Sequence, residues 1–207
     1  MKQKTVPISW KEANAQAAKL ISQIQKNRED WRLPSEQRSK DKPVEELMAS
    51  AAEVRVAFVQ QVVAAFAKLG ARNGKPPAGA WWYKNSELPA ASEHVAEKVL
   101  RKQLPFTDET LTIMFEQIAD MDYMTFAPVL EQLVRVLEKR AIKEPLSPRI
   151  CKALGRVVDG LLVKEWSERE RRDNGFPRAI DRKIAGRIEG LLNGPLDLGD
   201  GTGKKKS

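Results

Sequence analysis

Phe106-Thr-Asp-Glu-Thr-Leu-Thr-Ile-Met-Phe-Glu-Gln-Ile-Ala119 carries its own start signal and its own period. Thr107 can accept from the free N–H groups of a first helical turn, and Asp108 and Glu109 put negative charge where the helix dipole is positive. Phe106, just before the cap, can clamp Leu111 as a hydrophobic staple. Behind the cap, Leu111, Met114, Phe115 and Ile118 recur at steps of three and one, which is one face of a helix and not of a strand. The same grammar then repeats. Thr125 starts a helix through Val129, Leu130, Leu133 and Leu137, reaching toward Ile142. Ser147-Pro148 starts another, with proline at the first helical position, where its missing N–H is no loss. That helix is expected to bury Ile150, Cys151, Leu154, Val157, Val158, Leu161, Leu162 and Trp166.

Working outward, Ser9-Trp-Lys-Glu12 is a capping box, followed by Trp10, Ala13, Ala17, Leu20 and Ile24 on one face. A charged connector spans about 28–42. Pro43 opens either one long helix or two in tandem, because Ser50-Ala-Ala-Glu53 resembles a second capping box inside the apolar run Val44 to Leu69. The loop 70–90 is rich in Gly and Pro and holds Trp81-Trp82-Tyr83. A helix with Ala91, Val95, Val99 and Leu100 inward follows and ends before Pro105. Pro177 begins a last helix with Ile180, Ile184, Ile188 and Leu191, closed by Asn193-Gly194-Pro195. The expectation is an all-α chain, either a multi-helix bundle or a short αα-repeat stack of about six to seven helices. Residues 1–8 are expected to be a flexible N-terminus, 9–193 a single helical domain and 194–207 a disordered basic tail.

The chain of 207 residues has a net charge of +8, one cysteine and one histidine. The charge is unevenly spread: residues 1–43 carry net +5, 106–146 carry net −4 and 147–207 carry net +5. A polyanion would be drawn to the ends, although this is not the uniform basic face of a dedicated nucleic-acid binder. No apolar run approaches the roughly 20 residues that span a bilayer, and Met1 to Pro7 lacks the apolar core of a signal peptide. A cytoplasmic protein with no membrane segment is expected.

Residues for catalysis are scarce. His94 and Glu97 share a helix face but form only half of a metal-ligand pattern, and a solvated or locally bonded histidine is the simpler reading. Cys151 is expected to be a small buried core residue and not a reactive thiol. Gly199-Asp-Gly-Thr-Gly-Lys204 imitates a phosphate loop but has the wrong glycine spacing, no Ser or Thr after Lys204, and no strand before it. No catalytic residue, cofactor or metal site is therefore expected.

Two surfaces keep functional interest. Trp81, Trp82 and Tyr83 could anchor a protein partner, stack on single-stranded nucleic acid, or fold back as a plug between helices. Arg169, Arg171, Arg172, Arg178, Arg182, Lys183 and Arg187 could form a basic stripe for phosphates. Interleaved Glu168, Glu170, Asp173 and Asp181 weaken its field, so a solvated face with ion pairs inside the helix is the competing reading.

The sequence Thr107–Asp120, Thr125–Ala141, Ser147–Trp166 resembles the α-helical repeat proteins of the HEAT and armadillo type in architecture, over about a third of the chain. The resemblance implies a stacked scaffold that binds partners along a surface. The expected function is a non-enzymatic protein–protein interaction or scaffold module. The alternative is an RNA- or DNA-binding accessory domain that uses the basic C-terminal helix and tail.

Overall fold

The computed structural model describes residues 8–26, 42–70, 89–121 and 127–193. These residues are all-α and contain no strand. The helices are α1 (Trp10–Lys26), α2 (Lys42–Ala49), α3 (Ala52–Gly70), α4 (Pro89–Leu100), α5 (Asp108–Ala119), α6 (Ala127–Ala141), α7 (Pro148–Leu161), α8 (Glu168–Asp173) and α9 (Ala179–Leu192). Trp81, Trp82 and Tyr83, the start at Thr125, the connector and the C-terminal tail lie outside the described residues.

The written caps form as expected. Ser9 N–H donates to Glu12 at 3.1 Å and Glu12 N–H donates to the Ser9 hydroxyl at 3.2 Å. Thr107 accepts from Thr110 N–H at 3.1 Å, and the stapling pair Phe106 and Leu111 is buried. Ser147 accepts from Ile150 N–H at 3.3 Å. Ser50 instead breaks the chain into tandem helices: its hydroxyl donates back to the Leu47 carbonyl at 2.7 Å, and α3 starts at Ala52.

Helix α3 is apolar around most of its circumference, with Val54, Val56, Ala57, Phe58, Val59, Val62 and Val63 all buried. Such a helix must lie at the centre, since no side of it is fit to face water. It packs against α1, α4 and α5, and more lightly against α2. From there the packing skips along the chain: α5 lies on α7, α7 on α9, and α4 on α6, while α6 also meets α9. One core runs unbroken from Ala13 in α1 to Ile188 in α9.

Several positions differ from the sequence expectation, among them Leu162, which is half-buried just past the end of α7. Trp10 sits at the first residue of α1 and overhangs the core, 46% exposed, while Ala13 through Ile24 on the same face are buried. Ile142, just past the end of α6, is 85% exposed. Cys151 is half-buried on the flank of the α7 stripe, beside the fully buried Ile150. Helix α7 ends at Leu161 and not at Trp166. There Val163 takes φ 45°, the left-handed turn that glycine usually supplies at a helix end, and its side chain is buried. Trp166 instead meets the edge of Phe176 with ring centres 6.1 Å apart, in the elbow between α7 and α9.

Candidate functional site

The seven basic residues of the expected C-terminal stripe divide into those already committed to carboxylates and those not. Arg187 forks onto Glu138 at 2.8 and 2.5 Å and reaches Glu131 at 3.2 Å. Lys183 joins the same Glu131 oxygen at 3.2 Å. Both acids come from α6 and not from the interleaved residues of the C-terminal region. Burial opposes ionisation of Glu131, but Lys183 and Arg135 outweigh it and hold its carboxyl below the usual value. Arg178 pairs with Asp181 at 2.8 Å, and Asp181 is buried, also accepting from the Arg178 N–H at 2.9 Å. The Arg178 guanidinium lies 5.7 Å from the Phe176 ring centre. Arg169 approaches Asp173 at 3.5 Å. Arg182 donates to the Pro177 carbonyl at 2.7 Å, and among the described residues it meets no carboxylate. Among the described residues Arg171 and Arg172 meet no carboxylate.

His94 is exposed, 3.9 Å from Glu97. Among the described residues no three His, Cys, Asp or Glu side chains come together in a way that could hold a metal ion.

A different surface gathers uncommitted charge. After α4 ends, Arg101 to Thr107 forms a strap that leads into α5. Leu104 and Phe106 are tucked inward from it, and the Phe106 N–H bonds the Leu104 carbonyl at 3.0 Å. Arg140 of α6 holds the strap down: it donates to the Phe106 carbonyl at 3.1 Å and pairs with Asp108 at 3.3 Å. Between strap and α6 lies a cleft of about 340 Å³. Helix α6 serves two faces here. Leu130, Leu133, Val134 and Leu137 go to the core, while Gln132, Arg135, Val136 and Lys139 recur at helical spacing along the cleft, and Lys143 follows in the turn just past the helix end.

Six of the residues lining this cleft are Arg or Lys and none is Asp or Glu. The three arginines are already engaged: Arg101 with Glu97 at 2.6 Å, Arg135 with Glu131 at 3.2 Å, and Arg140 as above. The three lysines are different. Lys102, Lys139 and Lys143 are exposed, and among the described residues none of them meets a carboxylate. The floor is apolar, formed by Leu100, Leu104, Phe106, Leu111 and Val136. One polar group interrupts it. Gln132 is only 7% exposed, yet its amide makes no hydrogen bond with any described residue. It is not one of the fully enclosed unpaired atoms either, which are Gln23 Oε1, Arg55 Nε and Gln117 Oε1. The surface it keeps therefore opens on the cleft.

This site escaped the sequence expectation because its two walls are some thirty residues apart in the chain. The signal that could have found it is local. Gln132, Arg135 and Lys139 interrupt what α6 could otherwise show as a second apolar stripe, and Arg101-Lys102 follows directly on an apolar helix end. No family model, no curated protein and no solved structure matches the chain.

Proposed function

We propose that the chain is a non-enzymatic interaction module that docks an acidic protein partner on the basic cleft between the 101–107 strap and α6. The observation that carries this reading is the trio Lys102, Lys139 and Lys143, uncommitted to carboxylates among the described residues, around an apolar floor. A basic rim steers an acidic partner and an apolar floor holds it, the division of labour that protein interfaces use. The side-by-side packing of α3, α5, α7 and α9 supports a stacked-helix scaffold of the αα-repeat kind as the platform. Action in the cytoplasm belongs to the same proposal, and no described helix is long and apolar enough to cross a membrane.

The test is titration of labelled poly-L-glutamate against the full chain at low and physiological salt. Micromolar binding that weakens with salt, and falls at least tenfold in the Lys102→Glu, Lys139→Glu, Lys143→Glu triple variant, supports the reading. No binding at low salt, or binding untouched by the three reversals, overturns it.

Nucleic-acid binding through the C-terminal helices is a second reading, supported by Arg171, Arg172 and Arg182, which among the described residues meet no carboxylate. It is the weaker one, because Arg178, Lys183 and Arg187 are already engaged by carboxylates.

A further inference from the structure

The chemistry of Gln132 narrows the partner. The Gln132 amide makes no hydrogen bond with any described residue and keeps its remaining surface toward the cleft, so a partner lying there meets its unused donors and acceptor. The carboxamide presents one acceptor and two donors side by side. A phosphate or carboxylate alone satisfies only the donors. A main-chain peptide group, which offers an N–H and a C=O, satisfies both. The apolar floor beside Gln132 asks for an uncharged side chain, and the rim lysines ask for carboxylates. The space is at the small end of ligand sites, which run from roughly 300 to 1,000 Å³. A helix is about 10–12 Å across with its side chains, so an extended segment that inserts one side chain is the better fit to a cleft of about 340 Å³.

We propose that the cleft binds a short, extended acidic segment of a partner protein, with one large apolar side chain seated on Leu104, Phe106 and Val136 and its peptide group paired with Gln132. Aspartates or glutamates on either side of that anchor face Lys102, Lys139 and Lys143. This rests on the proposed docking reading and adds to it a fixed apolar position and a main-chain contact.

The experiment is selection of random twelve-residue peptides displayed on phage against the full chain, followed by anisotropy titration of the enriched peptides. The expected consensus is a single Leu, Ile, Phe or Met flanked by Asp or Glu. Changing that residue to Ser in the peptide should weaken binding at least tenfold. Gln132→Leu, which suits the apolar surroundings and should preserve the fold, should weaken it about five- to tenfold, as loss of a buried hydrogen bond implies. Circular dichroism melting checks folding, and Val136→Ser at the half-buried edge of the floor serves as a second variant. Acidic enrichment with no fixed apolar position, or affinity indifferent to both Gln132→Leu and Val136→Ser, overturns this inference and leaves the docking reading standing. Absence of any acidic enrichment overturns both.

Discussion

Glu93 shows how one side chain can set a pH dependence for the fold. Burial first, and the charge of Glu97 second, push its carboxyl up to about 7. An unfolded glutamate titrates near pH 4.3. Across roughly pH 4.3 to 7 the folded chain therefore keeps a proton that the unfolded chain releases, and stability falls as pH rises through that window. Nothing comparable happens below it, where both states hold the proton. Glu93→Gln mimics the neutral form, so it should match the wild type near pH 4 and exceed it at pH 8. The expected gain is about 1–2 kcal/mol, less than the full shift implies, because the side chain is only partly buried and water screens it. Urea unfolding at the two pH values decides it: an equal difference at both would mean the proton plays no part. Neither this burial nor that of Gln132 was legible in the sequence. Both residues are polar positions on amphipathic helices, and whether such a position meets water depends on what another part of the chain lays over it.

At the scale of elements, starts were legible where a cap is written. An end was legible where a stop is written, as Asn193 closes α9, but not the end of α7 at Leu161, where no glycine follows to mark it. A start is written locally, as a cap followed by an apolar period, and Ser9, Thr107 and Ser147 all cap as their surroundings imply. Ser167-Glu-Arg-Glu170 has the same form, but no apolar period follows it, so α8 did not stand out as a helix. Its box is complete: Ser167 N–H donates to Glu170 at 2.8 Å, and Glu170 N–H donates to the Ser167 hydroxyl at 3.2 Å. Helix α8 buries no residue, so cap and local pairs hold it, whereas α5 buries Leu111, Met114, Phe115 and Ile118. The same cap deletion should accordingly read out differently in the two helices. Ser167→Ala should lower hydrogen-exchange protection across residues 168–173 about fivefold and leave the global unfolding midpoint almost unmoved. Thr107→Ala should instead destabilise the whole molecule by about 1 kcal/mol, because α5 cannot loosen without opening the core. A global loss from Ser167→Ala would show that α8 is coupled to the core through its elbow.

For the whole molecule, the sequence displayed a charge layout of acidic middle and basic ends, and folding turns that layout into pairing. Acids of the middle meet cations of the C-terminal region: Glu116 with Arg149 at 2.6 Å, Asp120 with Arg156, Glu131 with Lys183, and Glu138 with Arg187. No local window could show this, because the partners are 33 to 52 residues apart. The cleft was hidden for the same reason, since its rim needs the strap and α6 side by side. If the α6 acids mask the last helix, removing them should expose a polyanion site that the wild type lacks. Glu131→Gln with Glu138→Gln frees Lys183 and Arg187 of the last helix, and Arg135 of α6 with them, while keeping side-chain volume. We expect a stability loss of about 1–2 kcal/mol, chiefly because the half-buried Arg187 loses both its partners. We also expect tighter binding of single-stranded RNA, with a salt slope steeper by about 1.4, or roughly 0.7 for each of two new phosphate contacts. Anisotropy of a labelled oligouridylate across a potassium chloride series measures both affinity and slope. If the wild type already binds as tightly and as steeply, the acids shield nothing, and the C-terminal helices become the stronger candidate surface over the cleft.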